Sequence, residues 1–330
     1  LARVVKGHGM SQAIMVPISG QGTITDPNAG TLIPTLAQPP FDFTDVFIYS
    51  HGWWTTANDA MVDYTRFTVG FATTILRAVA ATAAGGAAGA FPKSALEIGL
   101  HWPSMVSEDS NSIINVAEPL SFYNRAKMAD DVGQHGGYAL IRLILTSRQS
   151  AKLPPPVFHL IGHSFGTKVV CSALQALAID PDMAPLLADA HFNLVLLQGA
   201  FDNDSFEPKQ DYANVLSGIP NLRVLMTKSG HDTALSVRYI QAQKINFFSH
   251  PVPAIGAIGP TPTTYSNANG KWINIDSGYN APPDSLNDKF YVADLTSLHE
   301  HDGAPVDDTS GHHSDIYLPE IYNLLTAFLF

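Results

Sequence analysis

Residues 157–170 read VFHLIGHSFGTKVV: an apolar, β-branched run, then Gly162-His163-Ser164-Phe165-Gly166, then a segment of helical character. A serine on a tight strand-to-helix turn projects its hydroxyl above the sheet. Glycine on either side removes the Cβ atoms that would clash as the turn closes. A bare G-x-S-x-G occurs by chance in roughly one chain in ten of this length. The strand before it and the helix after it give the motif its meaning, and they make Ser164 a candidate nucleophile.

Moving outward toward the N-terminus, residues 45–50 (DVFIYS) are the first clear strand and run directly into His51-Gly52-Trp53-Trp54. Tyr64, Phe67, Phe71, Ile75 and Val79 recur at three- and four-residue steps. That period predicts a helix over about 58–82, ended by Gly85-Gly86. A strand over 95–101 leads to Trp102-Pro103-Ser104, and the period-free stretch 105–122 reads as a loop. A helix over 124–145 follows, closed off by the three prolines at 154–156.

Toward the C-terminus the pattern predicts a helix over 168–178, strands at 192–198, 221–227 and 289–295, and a helix from Pro319. The run 245–288 is rich in Pro, Gly, Asn and Ser and reads as a long excursion. Alternating strands and helices imply the α/β class, a doubly wound and mostly parallel sheet with helices on both faces. The expected organisation is one domain over 1–330, with 105–122 and 245–288 as candidate lid or cap segments.

Composition narrows the function. With 45% hydrophobic and 14% charged residues, the chain buries a substantial core. Its net charge of −11 comes from 29 acidic against 18 basic residues, without a Lys/Arg cluster, which argues against nucleic acid or anionic lipid as a partner. One cysteine, Cys171, rules out an intrachain disulfide and a Cys-rich zinc site; it reads as a buried apolar thiol. No window of 18 uninterrupted apolar residues predicts a transmembrane helix. The opening Leu-Ala-Arg suggests a trimmed start without a recognisable signal peptide. The compartment stays open, with the cytoplasm favoured over secretion.

A serine hydroxyl is a poor nucleophile. It needs a base, and the base needs an acid to orient it and balance its charge. On sheets of this type the three follow in the order serine, acid, histidine. Asp232 lies just past the strand at 221–227, where an acid is wanted, and it also has the position to cap a turn through 233–235. Asp202 and Asp204 are its rivals. For the base, His312 and His313 stand immediately before the final helix, with His299 and His301 upstream; His313 is favoured. An oxyanion hole needs two amides. The N–H of Phe165, after the nucleophile, is one; that of Trp53, with Gly52 permitting a close turn, is the other. Trp54, with Trp53, and His163 are candidates for contact with substrate. A competing zinc reading draws on His299, His301, Asp302, His312, His313 and Asp315, but it leaves the serine turn unexplained. No metal or other cofactor is expected.

These motifs together resemble the α/β-hydrolase superfamily over most of the chain: the HGW turn at 51–53, the elbow at 162–166, the acid after 221–227 and the late histidine. HWPS at 101–104, LIGHSFG at 160–166, LLQGAFD at 196–202 and HDTAL at 231–235 look like a poorly characterised bacterial and fungal branch of it. In such relatives the last histidine resembles the one opening His313-Ser314-Asp315-Ile316. The resemblance implies cofactor-free, serine-esterase or lipase-like acyl chemistry on a small-molecule or lipid-like ester. A thioesterase, a lipase, a peptidase or a non-catalytic binding protein of the same fold remain as alternatives. Serine rather than aspartate at the elbow argues against dehalogenase chemistry.

Overall fold

Residues 157–163 and 191–197 are each apolar, counting glycine, at five of seven positions, and such runs form strands buried on both faces. The computed structural model describes residues 3–4, 11–38, 43–83, 94–105, 118–245, 251–275, 286, 288–301 and 312–330. Its strands are β1 (Arg3–Val4), β2 (Ser11–Pro17), β3 (Asp45–Ser50), β4 (Ala95–His101), β5 (Val157–His163), β6 (His191–Leu197), β7 (Leu222–Lys228), β8 (Lys271–Asn274) and β9 (Phe290–Asp294). They form one nine-stranded sheet in the order β1-β2-β4-β3-β5-β6-β7-β9-β8. Among these described strands, only the β1–β2 pair is antiparallel. The expected doubly wound architecture is the observed one.

Two layers of core follow from the two-residue period of the strands. Ile48, Leu160, Leu194, Leu196 and Val224 face one way, against Leu140, Ile144, Val170 and Leu174 of the helices Tyr138–Ser150 and Gly166–Ile179. Tyr49, Ile161, Val195, Leu197 and Leu225 face the other, against Tyr64, Phe67 and Phe71 of Ala57–Ala83 and Leu324, Leu325 and Phe328 of Pro319–Leu329. The long helix Ala57–Ala83 begins with a reciprocal cap. Asp59 N–H donates to Thr56 Oγ1 at 3.1 Å, and Thr56 Oγ1–H donates back to Asp59 Oδ2 at 2.7 Å.

Several expectations need correction. β2 precedes the strand read as first and pairs along its whole length with β4. Its run SQAIMVP shows its role only through that partner. Residues 118–122, read as loop, are helical, and the helix read over 124–145 runs from Glu118 to Ser150. A glycine-rich π-helical turn, Val132–Gly137, interrupts it where it packs on Gly166–Ile179. The excursion 245–288 holds the helices Ile255–Ile258 and Pro262–Asn267, and it holds β8, which extends the sheet edge. These elements are four to six residues long, too short to leave a readable period. Of the two candidate lid segments, residues 106–117, 246–250, 276–285 and 287 lie outside the described residues.

Candidate active site

β5 lies at the centre of the sheet, and Ser164 is the first residue past its end. Ser164 sits at φ 54°, in the left-handed region that costs a non-glycine residue about 1–3 kcal/mol. The turn is held by Ser164 N–H donating to Leu197 O at 3.1 Å and by Thr167 N–H donating to Ser164 O at 3.1 Å. At Gly166, a Cβ would lie 2.0 Å from Ser50 O and 2.6 Å from His51 O. The elbow helix thus starts in contact with the end of β3, and only glycine fits. Gly166→Ala is expected to cost about 3 kcal/mol through this overpacking, read as a lower melting temperature. An unchanged melting temperature would contradict that close approach.

The 51–54 turn, at the end of β3, lies over Ser164. A Cβ on Gly52 would meet Ser164 Cβ at 2.8 Å and Ser164 Oγ at 3.3 Å. His51 is buried and stacked on Trp102, with ring centroids 5.4 Å apart. Trp102 N–H donates to His51 Nε2 at 3.3 Å, so His51 carries its proton on Nδ1 and donates it to Gly52 O at 2.9 Å. Burial pushes the His51 pKa down to about 4. Ser104 completes the clamp. Its Oγ accepts from Thr55 N–H at 3.0 Å and donates to Thr55 O at 2.9 Å. The HWPS motif therefore shapes the turn that faces Ser164. The amides of Phe165 and Trp53, expected to form the oxyanion hole, have no hydrogen-bond acceptor among the described residues.

Asp232 lies four residues past the end of β7 and is fully buried. Its Oδ1 accepts from Leu235 N–H at 3.0 Å, the capping role foreseen for it. Its Oδ2 accepts from His313 Nδ1–H at 2.7 Å, so one carboxylate caps and pairs at once. His313 in turn lies against His163, the residue before Ser164. The His163 and His313 rings are 5.0 Å apart, and His163 Nε2–H donates to His313 O at 2.8 Å. Burial, with His313 beside it, pushes the His163 pKa down to about 3. His163, read as a substrate contact, directs this N–H at the main chain of His313.

The rival residues sit elsewhere. His312 pairs its Nδ1 with Asp315 Oδ2 at 2.7 Å. Asp202 Oδ1 accepts from Tyr239 Oη at 2.7 Å and from Gln243 Nε2 at 2.6 Å, and Asp204 accepts from Gln210 at 3.3 Å. The side chains of His299 and His301, and Asp302 as a whole, lie outside the described residues. Among the described residues no group of three or more His, Cys, Asp or Glu side chains is placed to hold a metal ion. Cys171 is buried, with its thiol pKa pushed well up by that burial.

An aromatic wall flanks the elbow. Phe122 packs on Phe165 (4.8 Å), Trp53 (5.5 Å) and Tyr239 (5.5 Å). Trp54 meets Trp53 edge-on at 5.5 Å and is 41% exposed. A cavity of about 420 Å³ lies at the other end of the sheet, between the starts of β7 and β9 and the helix Pro262–Asn267. It shares no lining residue with Ser164, Asp232 or His313. Sequence reasoning missed Gln198, which is fully buried at φ 46° and contacts both Asp232 and the main chain of His312. The available signal was a lone amide closing the apolar run NLVLLQ.

Residues 44–279, more than two thirds of the chain, match the family described as alpha/beta hydrolase of unknown function (DUF900). The match includes Ser164 and Asp232 and stops short of His313. Searches of curated proteins and of solved structures each return no match. No helix among the described residues is long and apolar enough to cross a membrane.

Proposed function

Because the chain belongs to the alpha/beta-hydrolase family of unknown function, we propose that it is a serine hydrolase cleaving carboxylic esters through an acyl-enzyme. Ser164 Oγ attacks the ester carbonyl while His313 Nε2 takes its proton. Asp232 holds Nδ1–H of the same ring, which fixes the tautomer and balances the imidazolium charge. The tetrahedral oxyanion is received by the amides of Phe165 and Trp53. Phe165 also caps the helix Gly166–Ile179, whose N-terminus carries positive partial charge. Collapse expels the alcohol, which leaves with the proton from His313. Water then repeats the sequence on the acyl-enzyme and frees Ser164 and the acid.

The observation that carries this reading is the 2.7 Å Asp232–His313 bond, formed across 81 residues, with the His313 ring 5.0 Å from that of His163, the residue before a serine held at φ 54°. A strained elbow serine and a long-range acid–imidazole pair near it support acyl transfer. The aromatic wall of Trp53, Trp54 and Phe122 supports a small-molecule or lipid-like ester with an apolar group. A fluorophosphonate probe tests the chemistry. We expect one covalent adduct per chain, located on Ser164 by peptide mass. A folded protein that takes no label would instead be a binding protein on a hydrolase fold.

A further inference from the structure

Gln198 is the first residue past β6, and it is the one polar side chain that closes the apolar run of that strand. Its exposure is 0%, and its main chain is held at φ 46° with its N–H donating to Thr227 Oγ1 at 2.9 Å. The side-chain amide has two protons on Nε2. One goes to Asp232 Oδ2 at 3.1 Å, the same oxygen that receives His313 Nδ1–H. The other goes to His312 O at 2.9 Å. Both partners are acceptors only, so the orientation of the amide is fixed by chemistry.

These contacts close a ring. It runs from Asp232 to the His313 imidazole, back along the main chain to the carbonyl of His312, and through Gln198 to Asp232. The next carbonyl, His313 O, is gripped by His163 Nε2–H at 2.8 Å. Two consecutive peptide groups of the base-bearing turn are therefore anchored by side chains from the ends of β5 and β6. The turn also carries strain, because His312 is in the left-handed region at φ 48°. Gln198 also bears a cost, because its Oε1 is buried without a hydrogen-bond partner among the described residues. Buried unsatisfied oxygens are rare in folded proteins, and their retention calls for an explanation.

Resting on the serine-hydrolase reading, we propose that Gln198 is a positioning residue. It holds the acid and the base-bearing turn in register, so that the His313 ring is delivered to Ser164 in one orientation. It touches neither substrate nor reacting atoms and acts through Asp232 and the 312–313 main chain. Its effect belongs to the chemical step, where a displacement of about 1 Å costs on the order of 10²-fold in rate.

The test is Gln198→Met, which keeps length and apolar volume and removes both donors. Against a short p-nitrophenyl ester we expect kcat to fall about 10²-fold with KM held within about twofold, the split that lost positioning produces. A second readout is independent of activity. The His313 Nδ1 proton, held on a carboxylate at 2.7 Å, gives a strongly downfield proton resonance, identified by its loss in His313→Ala. That line should broaden or vanish in Gln198→Met. If the line persists and kcat is unchanged, the proposal is wrong. Gln198→Asn carries the same test should the Met variant not fold, since its amide ends one methylene short of both acceptors. Failure of both variants to fold would assign Gln198 to stability alone and overturn the proposal. The hydrolase reading fails separately, if wild-type Ser164 takes no fluorophosphonate; the proton line reports on Gln198 in either case.

Discussion

Ser164→Ala is expected to lower kcat for a short p-nitrophenyl ester by about 10⁴- to 10⁶-fold, the range seen when an acyl enzyme loses its nucleophile. The hydroxyl is the only atom removed, and the main-chain bonds that shape the elbow are untouched. Ser164 N–H still donates to Leu197 O, and Ser164 O still accepts from Thr167 N–H. Alanine at φ 54° bears the same backbone strain as serine. The melting temperature should therefore stay within about 2 °C of wild type, since no packed group is lost. Residual hydrolysis would come from the oxyanion amides and substrate binding alone. Activity within tenfold of wild type would remove Ser164 from the mechanism.

Asp232→Asn is expected to lower kcat by about 10³- to 10⁴-fold, chiefly by reversing the tautomer of His313. Both oxygens of this carboxylate accept hydrogen bonds. Leu235 N–H meets Oδ1, while His313 Nδ1–H and Gln198 Nε2–H meet Oδ2. An asparagine has one oxygen and one NH₂, so some donor must face a donor. With its NH₂ toward His313, the imidazole moves its proton to Nε2 and can no longer accept one from Ser164. With its NH₂ toward Leu235, the cap is lost instead. Either arrangement leaves a buried donor unsatisfied, at a cost of about 1–3 kcal/mol. The variant should thus lose stability as well as rate, unlike Ser164→Ala. Paired melting and kinetic measurements separate the two, and a kcat within tenfold of wild type would rule out Asp232 as the acid.

Much of this was legible along the chain. The elbow at 162–166 and its flanking strand and helix are local, because a tight turn selects glycine and a buried strand selects apolar residues within a few positions. β3 was placed to the residue, and β6, β7 and β9 to within one residue, for the same reason. β2, β8 and the helices of 251–267 were not. β8 and those helices are short, and β2 takes its place from a neighbour distant in sequence, through the pairing of Ser11–Pro17 with Ala95–His101.

The site divides along the same line. Ser164 was identified by its own turn. Asp232 and His313 were chosen by order along the chain, and 81 positions separate them. The links that hold them follow no sequence period: Gln198 to Asp232 and His312, His163 to the His313 carbonyl, and Trp102 and Ser104 to the turn over Ser164.

The sequence by itself determined the strand–turn–helix that lifts Ser164 out of a doubly wound sheet, because that geometry is set by steric limits within about ten residues. Only the tertiary structure decided which histidine meets which carboxylate. Ser164, Gln198 and Asp232 follow β5, β6 and β7, whose parallel register brings their ends to one level, while His313 reaches them from the segment before the final helix. A hydrogen bond needs its atoms within about 3 Å, and no pattern along a chain carries that distance.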